Sequence, residues 1–305
     1  MVLPQDPNNP PKPSTLFPLP PPESPEPRVS RLQVPMWTEH KARFIERYLY
    51  YFVLVTKHGT YIDGFAGPQQ PDDAEMWTAK RVLESEPRWF RHFYLFDSSP
   101  AQVARLQALQ QAQRPPDRTR KEPKRTIHIE QGDFNSLVRE LLRSAPFSQR
   151  EAVFCLLDQR TFECHWETLE MLARYKTTGY KIELLYFLPV AWLGRALANQ
   201  QALPVIRLWW GRDGWERLRQ MGQWERKELV VQRFKEELGY WSVKGWPIYA
   251  TPQGGRTMYY LIHATDHPEA PSLMARAYTH TTLPKESPEQ LQLEFGLIGK
   301  RGRRA

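Results

Sequence analysis

Asp63, Gly64 and Gly67 stand together in Thr60-Tyr-Ile-Asp-Gly-Phe-Ala-Gly-Pro68, an apolar run that stops on a carboxylate and breaks at once into a turn with two glycines. Glycine lets a backbone take φ > 0 or approach a ligand closely. A carboxylate where a strand ends faces the crevice in which doubly wound sheets take nucleotide-like ligands. Related acids recur along the chain. Asp97 closes the stretch His92–Asp97, Asp133-Phe134 follows Thr126–Glu130, and Asp158 closes Ala152–Asp158. Asp97 offers two acceptor oxygens, which suits a pair of ribose hydroxyls. Asp133 can receive an exocyclic amino group with Phe134 flanking its ring, and Asp158 stands where the attacking nucleophile would be handled. Taken singly, each of these acids has a plainer role as the cap of the following helix. Their joint occurrence in register points to a ligand.

The elements that must position them alternate between strand-like and helix-like patterns, which implies a mostly parallel sheet covered on both faces. The expected strands are Thr60–Asp63, His92–Asp97, Thr126–Glu130, Ala152–Asp158 and Lys181–Leu188; the helices between and after them are about Asp73–Glu86, Pro100–Gln113, Asn135–Ser144, Trp166–Tyr175 and Ala191–Gln200. A helix precedes the first strand: Thr38 can cap it, and Phe44, Ile45, Tyr48, Leu49 and Phe52 follow at three- and four-residue spacing. Its polar residues, His40, Lys41, Arg43, Arg47 and Lys57, read as a solvated face, with a substrate or phosphate contact at His40 and Lys41 as the alternative. Beyond Leu203 come six tryptophans. Trp224, Val230, Val231, Phe234 and Leu238 give Gln223–Leu238 an aromatic face expected to pack on the sheet rather than to stack bases. Val243–Tyr249 and Thr257–Ala264, joined through Gly254-Gly255, read as a β-hairpin.

Five strand–helix units, a helix and a late antiparallel hairpin match the order of class I S-adenosylmethionine (SAM) methyltransferases. The expected fold class is therefore α/β, a Rossmann-like doubly wound sheet of that type, mostly parallel with a C-terminal antiparallel hairpin. The 30 residues from Gly67 to Asp97 exceed the roughly 20 of a dinucleotide fingerprint, which disfavours NAD. In this fold SAM is expected at Asp63, Gly64, Phe65, Ala66, Gly67, Asp97, Asp133 and Phe134, with Asp158 as the catalytic position and His40 and Lys41 contacting the acceptor.

Composition sets the limits. A 41% share of hydrophobic residues suffices for a buried core, and a net charge of +8 fits a phosphate-bearing partner such as nucleic acid. Cys155 and Cys164 are the only cysteines, which excludes a disulfide framework or zinc ribbon and fits a cytoplasmic setting. No run approaches the roughly 20 apolar residues of a membrane span, and no secretory pattern opens the chain. Eleven of the first 27 residues are proline, so residues 1–30 read as a disordered arm. Residues 31–283 follow as a methyltransferase-like domain with a helical insertion at about 201–240, and 284–305 as a flexible basic tail. Arg114–Lys124 reads as an exposed basic loop.

Trp37-Thr-Glu-His-Lys41 with its following helix, Tyr61-Ile-Asp-Gly-Phe-Ala-Gly-Pro68, Leu157-Asp158 followed by Trp166-Glu-Thr-Leu169, and Tyr259-Tyr-Leu-Ile-His-Ala-Thr-Asp-His-Pro268 resemble the three-Cys-motif partner protein (TcmP) family. More distantly, the opening helix and turn look like bacterial ribosomal RNA adenine methyltransferases. The resemblance implies a SAM-dependent methyltransferase-like fold and a partner of radical-SAM type with a three-cysteine motif. Two positions depart from the family pattern. Gln69 replaces a glycine after Pro68, and Asp158-Gln-Arg-Thr-Phe162 replaces Asp-Pro-Phe-Gly. The second change removes a stiff turn and opens an alternative: a non-catalytic SAM-binding or RNA-binding module with Gln159 and Arg160 filling the acceptor pocket. Plain RNA binding would use Lys41, Arg43, Arg114, Arg118, Arg120 and the tail.

Overall fold

The computed structural model describes residues 40–68, 76–120, 122–251 and 254–282. The proline-rich arm, Trp37, Thr38, Gln69 and the basic tail lie outside them. Seven strands form one sheet: β1 (Gly59–Asp63), β2 (Phe90–Asp97), β3 (Thr126–Gln131), β4 (Val153–Leu157), β5 (Glu183–Leu188), β6 (Ser242–Thr251) and β7 (Gly254–Thr265). Their order is β3-β2-β1-β4-β5-β7-β6. The first five pair in parallel, and β7 runs antiparallel to both β5 and β6. This is the α/β, Rossmann-like arrangement expected from the alternation, with the late hairpin inserted where a class I methyltransferase carries it.

The central strands β1, β4 and β5 are buried along their whole length, as a sheet covered on both faces requires. Their side chains sort by the two-residue period of a strand. Tyr61, Phe154, Leu156, Leu185 and Phe187 enter one apolar cluster, while Ile62, Val153, Cys155, Leu157, Leu184, Tyr186 and Leu188 enter the other. The first cluster is closed by α1 (Lys41–Thr56), α2 (Thr78–Glu84), α3 (Pro100–Gln111) and α9 (Ala270–Thr282). The second is closed by α4 (Phe134–Arg143), α5 (Trp166–Arg174), α6 (Val190–Ala198), α7 (Leu203–Trp210) and α8 (Gln223–Glu236). Each fully buried Leu or Phe contributes about 1.5–3 kcal/mol, whereas a surface pair such as Lys80–Glu84 contributes about 0.3–0.5 kcal/mol. The two clusters therefore hold the fold. Among the described residues, no helix is long and apolar enough to cross a membrane.

Three expectations change here. Trp209, Trp210, Trp215 and Trp246 are core residues, but Trp224 is 65% exposed. It stands in the first turn of α8, whose buried face is made by Val230, Val231 and Phe234 instead. Helix α9 was not anticipated: its buried residues Leu273, Met274, Ala275, Ala277 and Tyr278 are interleaved with Arg276, Thr279 and His280, which blurs the stripe. The Arg114–Lys124 loop is exposed as expected, with Arg114, Arg118 and Arg120 all at the surface, but part of its charge is paired. Arg114 bonds both Glu86 (2.8 Å) and Glu122 (2.7 Å), and Arg120 lies 3.5 Å from Asp117.

Gly211 ends α7 at φ 75°, and a Cβ there would fall within 3.0 Å of the Trp166 side chain. Gly211→Ala is expected to lower stability by about 2–3 kcal/mol, combining left-handed strain with overpacking. Urea unfolding reads it directly.

Candidate functional site at the carboxyl ends of β1 and β4

β1 leads outward to β2 and β3, and its other neighbour β4 leads outward to β5, so the chain reverses direction between β1 and β4. A doubly wound sheet opens its ligand crevice at such a switch point, outside the carboxyl ends of the strands. A crevice of about 250 Å³ lies there, lined by Asp63, Phe65, Ala66, Gly67 and Pro68 after β1, Met76 to Ala79 at the start of α2, and Leu156 with Asp158 from β4.

The turn after β1 is pinned across three strand ends. The Gly64 amide donates to the Leu156 carbonyl (3.0 Å) and the Ala66 amide to the Phe96 carbonyl (2.8 Å). The Gly67 amide donates to Asp97 Oδ2 (3.0 Å), and the Trp77 indole donates to the Ala66 carbonyl (2.7 Å). The glycines are required by these neighbours. A Cβ on Gly64 would meet the Phe134 ring at 3.0 Å, and one on Gly67 would lie 2.5 Å from Gln102 Cβ and against Asp97 Oδ2. Gly67→Ala is expected to cost about 1–3 kcal/mol of stability and to splay the turn from Asp97. Both effects can be read in thermal unfolding and in the Gly67 amide exchange rate.

Asp63 is buried, accepting from the Tyr61 hydroxyl on Oδ2 (2.8 Å) and from the Phe65 amide on Oδ1 (3.1 Å). Burial pushes its carboxyl up to about 7; the hydrogen bonds from Tyr61 and Phe65 oppose this, and the charges of Asp158 and Asp97 add to it. Asp97 accepts the Gly67 and Ser99 amides, one on each oxygen, and each oxygen keeps a further lone pair. Asp133 is exposed and caps α4, accepting the Ser136 amide and hydroxyl and the Asn135 amide group. Phe134 lies buried beneath the turn, its ring 5.8 Å from that of Phe65 and 5.4 Å from that of Phe96. The crevice thus joins Asp63, Phe65, Ala66, Gly67 and Asp158, while Gly64, Asp97, Asp133 and Phe134 stand outside its lining, Asp97 bordering it through its bond to the Gly67 amide.

Lys41 is not on a solvated face. Its ammonium reaches Asp158 Oδ2 at 2.6 Å, with the side chains only 7% and 9% exposed. The reason is geometric: Lys41 precedes Phe44, Ile45 and Tyr48 by three, four and seven residues, on the stripe that α1 buries. Arg43, two positions on, is exposed. His40 directly precedes α1. The other Asp158 oxygen, Oδ1, is buried and accepts no hydrogen bond from any of the described residues. Tyr259 joins this cluster: the Lys41 ammonium lies 5.9 Å from its ring centroid, and its buried hydroxyl also has no partner among the described residues. Because β7 runs antiparallel, with Tyr260 opposite Leu188 at the end of β5, Tyr259 arrives at the same pole as Asp158. Sequence reasoning assigned it no role.

The altered segment after Asp158 is held from within. Gln159 is fully buried, donating to the Phe187 carbonyl (2.9 Å) and accepting the Cys164 amide (2.7 Å), while Arg160 is exposed. Neither lines the crevice. The expectation that they fill an acceptor pocket fails, because the Gln159 amide is committed to the backbone on both sides. Asn135 secures the same loop by donating to the Glu163 carbonyl and accepting the His165 amide. Burial pushes the Cys155 and Cys164 thiols up, which makes them poor nucleophiles.

No protein-family model and no curated protein matches the chain. Among solved structures it is similar to protein LPL1258 from Legionella pneumophila str. Philadelphia 1, described under DUF519, at 14% identity over 81% of this chain and 92% of that one, with a TM-score of 0.45. It is also similar to the methyltransferase domain of bacterial CtHen1-CN, at 13% identity over 73% and 99%, with a TM-score of 0.39. The fold assignment rests on strand order and helix placement rather than on these likenesses. Those features give a methyltransferase-like α/β fold whose switch-point crevice is walled by a glycine turn and a buried carboxylate.

Proposed function

We propose that this chain is a SAM-dependent methyltransferase-like protein of the three-Cys-motif partner type, binding SAM at the carboxyl ends of β1 and β2 and transferring methyl to an amino group held at Asp158. The observation that carries the reading is Asp158 Oδ1, a buried acceptor without a donor on the wall of the crevice. Buried polar atoms in folded proteins are nearly always bonded, so an orphan facing a cleft calls for an N–H donor from outside the chain.

The residues fit the cofactor. Asp97 keeps lone pairs for two hydroxyls, Asp63 is a carboxylate for an ammonium, and Phe65, Ala66 and Gly67 bring the turn to the crevice wall. SAM would supply an electrophilic methyl on sulfonium. Asp158 Oδ1 would accept one N–H of the acceptor amine and so aim its lone pair, while Lys41 fixes the carboxylate through Oδ2. Rate enhancement would come from positioning rather than from acid–base work. Asp133 and Phe134 serve here as the cap of α4 and the floor of the turn.

Titration calorimetry of the full chain with SAM and with S-adenosylhomocysteine tests the cofactor. Binding of both, weakened by Asp97→Ala, is expected, and no heat with either removes the reading. Transfer of tritiated methyl to total RNA or to the three-cysteine partner then separates a nucleic-acid acceptor from a protein one. A second reading, SAM binding without transfer, draws support from Gln159, whose two backbone bonds fix the loop where the family pattern has Pro and Gly. Tight SAM binding with no labelled product under either condition would favour it. Nucleic-acid binding by surface charge loses Lys41, which is buried against Asp158, but keeps Arg43, Arg114, Arg118 and Arg120 at the surface, Arg114 and Arg120 beside carboxylates.

A further inference from the structure

At the opposite pole of the sheet, beside the amino ends of β4 and β5, lies a second cleft, about 580 Å³ when the open space at its mouth is included. It lies between the last turns of α1 and the first turn of α9, and Phe52, Val55, Val153 and Leu273 give it apolar walls.

Two of its polar groups differ in how they are satisfied. Glu183 is buried but fully engaged: Oε1 faces the Tyr48 hydroxyl and His263 Nε2 (3.0 Å), and Oε2 accepts from Thr265 (2.9 Å). Lys176 is also buried, 7% exposed, yet its ammonium donates only to the Glu151 carbonyl. Among the described residues, no carboxylate lies within ion-pair distance of it. The Glu151 carboxylate accepts from Thr60 (2.6 Å) and acts on Lys176 through space alone. An ammonium carries three donors, and burying one without an anion costs several kcal/mol. Burial accordingly holds the Lys176 pKa down to about 8, which leaves it mostly charged at neutral pH. Burial, with the charges of Arg91 and Lys176 adding to it and Glu151 opposing, lowers the pKa of nearby His58. A buried cation beside apolar walls selects against a small hydrated ion and for an anion with an apolar body.

We propose that this cleft binds an organic carboxylate with an aliphatic or aromatic body, its carboxylate on the Lys176 ammonium and its body against Phe52, Val55 and Leu273. The site is independent of the methyltransferase reading, although both share α1, which carries Lys41 at one end and the cleft wall at the other.

The test is calorimetric titration of the full chain with octanoate, octanol and octylammonium, followed by Lys176→Met and Leu273→Trp. Octanoate is expected to bind saturably and at least tenfold more tightly than either comparator. Lys176→Met should erase that margin, and Leu273→Trp should abolish binding by filling the cleft, with circular dichroism showing both variants folded. Absence of saturable octanoate binding, or equal binding of octanol, overturns the proposal on the unaltered chain alone. A Lys176→Met variant that is folded and keeps the full margin does the same.

Discussion

Lys41→Met is expected to destabilise the folded chain by about 3–5 kcal/mol, the penalty for leaving a buried charge without its partner. Methionine keeps the length and apolar stem of lysine, so packing on the α1 stripe changes little. What changes is Asp158: Oδ1 already accepts nothing, and Oδ2 would lose the ammonium at 2.6 Å. A carboxylate 9% exposed would then stand buried with neither oxygen paired among the described residues. Lys41→Met/Asp158→Leu removes both charges and should recover most of the loss. Guanidinium unfolding of the two single variants and the double variant gives the coupling energy. A loss under about 1 kcal/mol for Lys41→Met, or a double variant as weak as the sum of the singles, would show that the pair contributes little, as exposed pairs do.

That pair also shows how far the sequence could be read. The alternation of apolar runs with helical stripes was enough for the sheet, because β1, β4 and β5 are buried on both faces and leave unbroken apolar strands. The carboxylates at the ends of β1 and β4, Asp63 and Asp158, are legible for the same reason, since an acid stands out where an apolar run stops. Lysine is by type a solvent or ligand-contacting residue, yet the spacing of Lys41 to Phe44 and Ile45 puts it on the buried stripe of α1. Asp133 cannot be resolved between ligand and helix cap from sequence, because both roles need the same residue at the same place; in the structure it caps α4 through Ser136. Trp224 fell on the helical period of its neighbours, yet the first turn of α8 extends past the packed surface. Tyr259 was invisible as a site residue, because its approach to Asp158 depends on β7 reversing direction 101 positions later in the chain.

Asp63 is where pH should control cofactor affinity. Its carboxyl titrates at about 7 in the folded chain, against an ordinary value of 3.8. Between those values the folded state holds a proton that the unfolded state has released, so stability is highest near pH 4 and declines as pH rises to about 7, by at most about 1.4 kcal/mol per unit. A ligand ammonium favours the ionised form, so SAM must displace this proton to pair with Asp63. Affinity is then expected to weaken about tenfold from pH 8 to pH 6 as the ionised fraction falls. Above about 8, the α-amino group of the ligand loses its own charge, which makes the profile bell-shaped with a maximum between about 7 and 8. Asp63→Asn keeps the shape and the Tyr61 and Phe65 contacts but removes the charge. It should lower affinity at the maximum by about 10–100-fold, the worth of one charge-assisted contact, and should flatten the acid limb. Calorimetry at pH 6.5 in two buffers of different ionisation enthalpy counts the proton directly: close to one released on binding to the unaltered chain, none with Asp63→Asn. An affinity independent of pH, or an acid limb that survives in Asp63→Asn, would place the ammonium elsewhere and leave Asp63 as a structural acid that ties β1 to its turn.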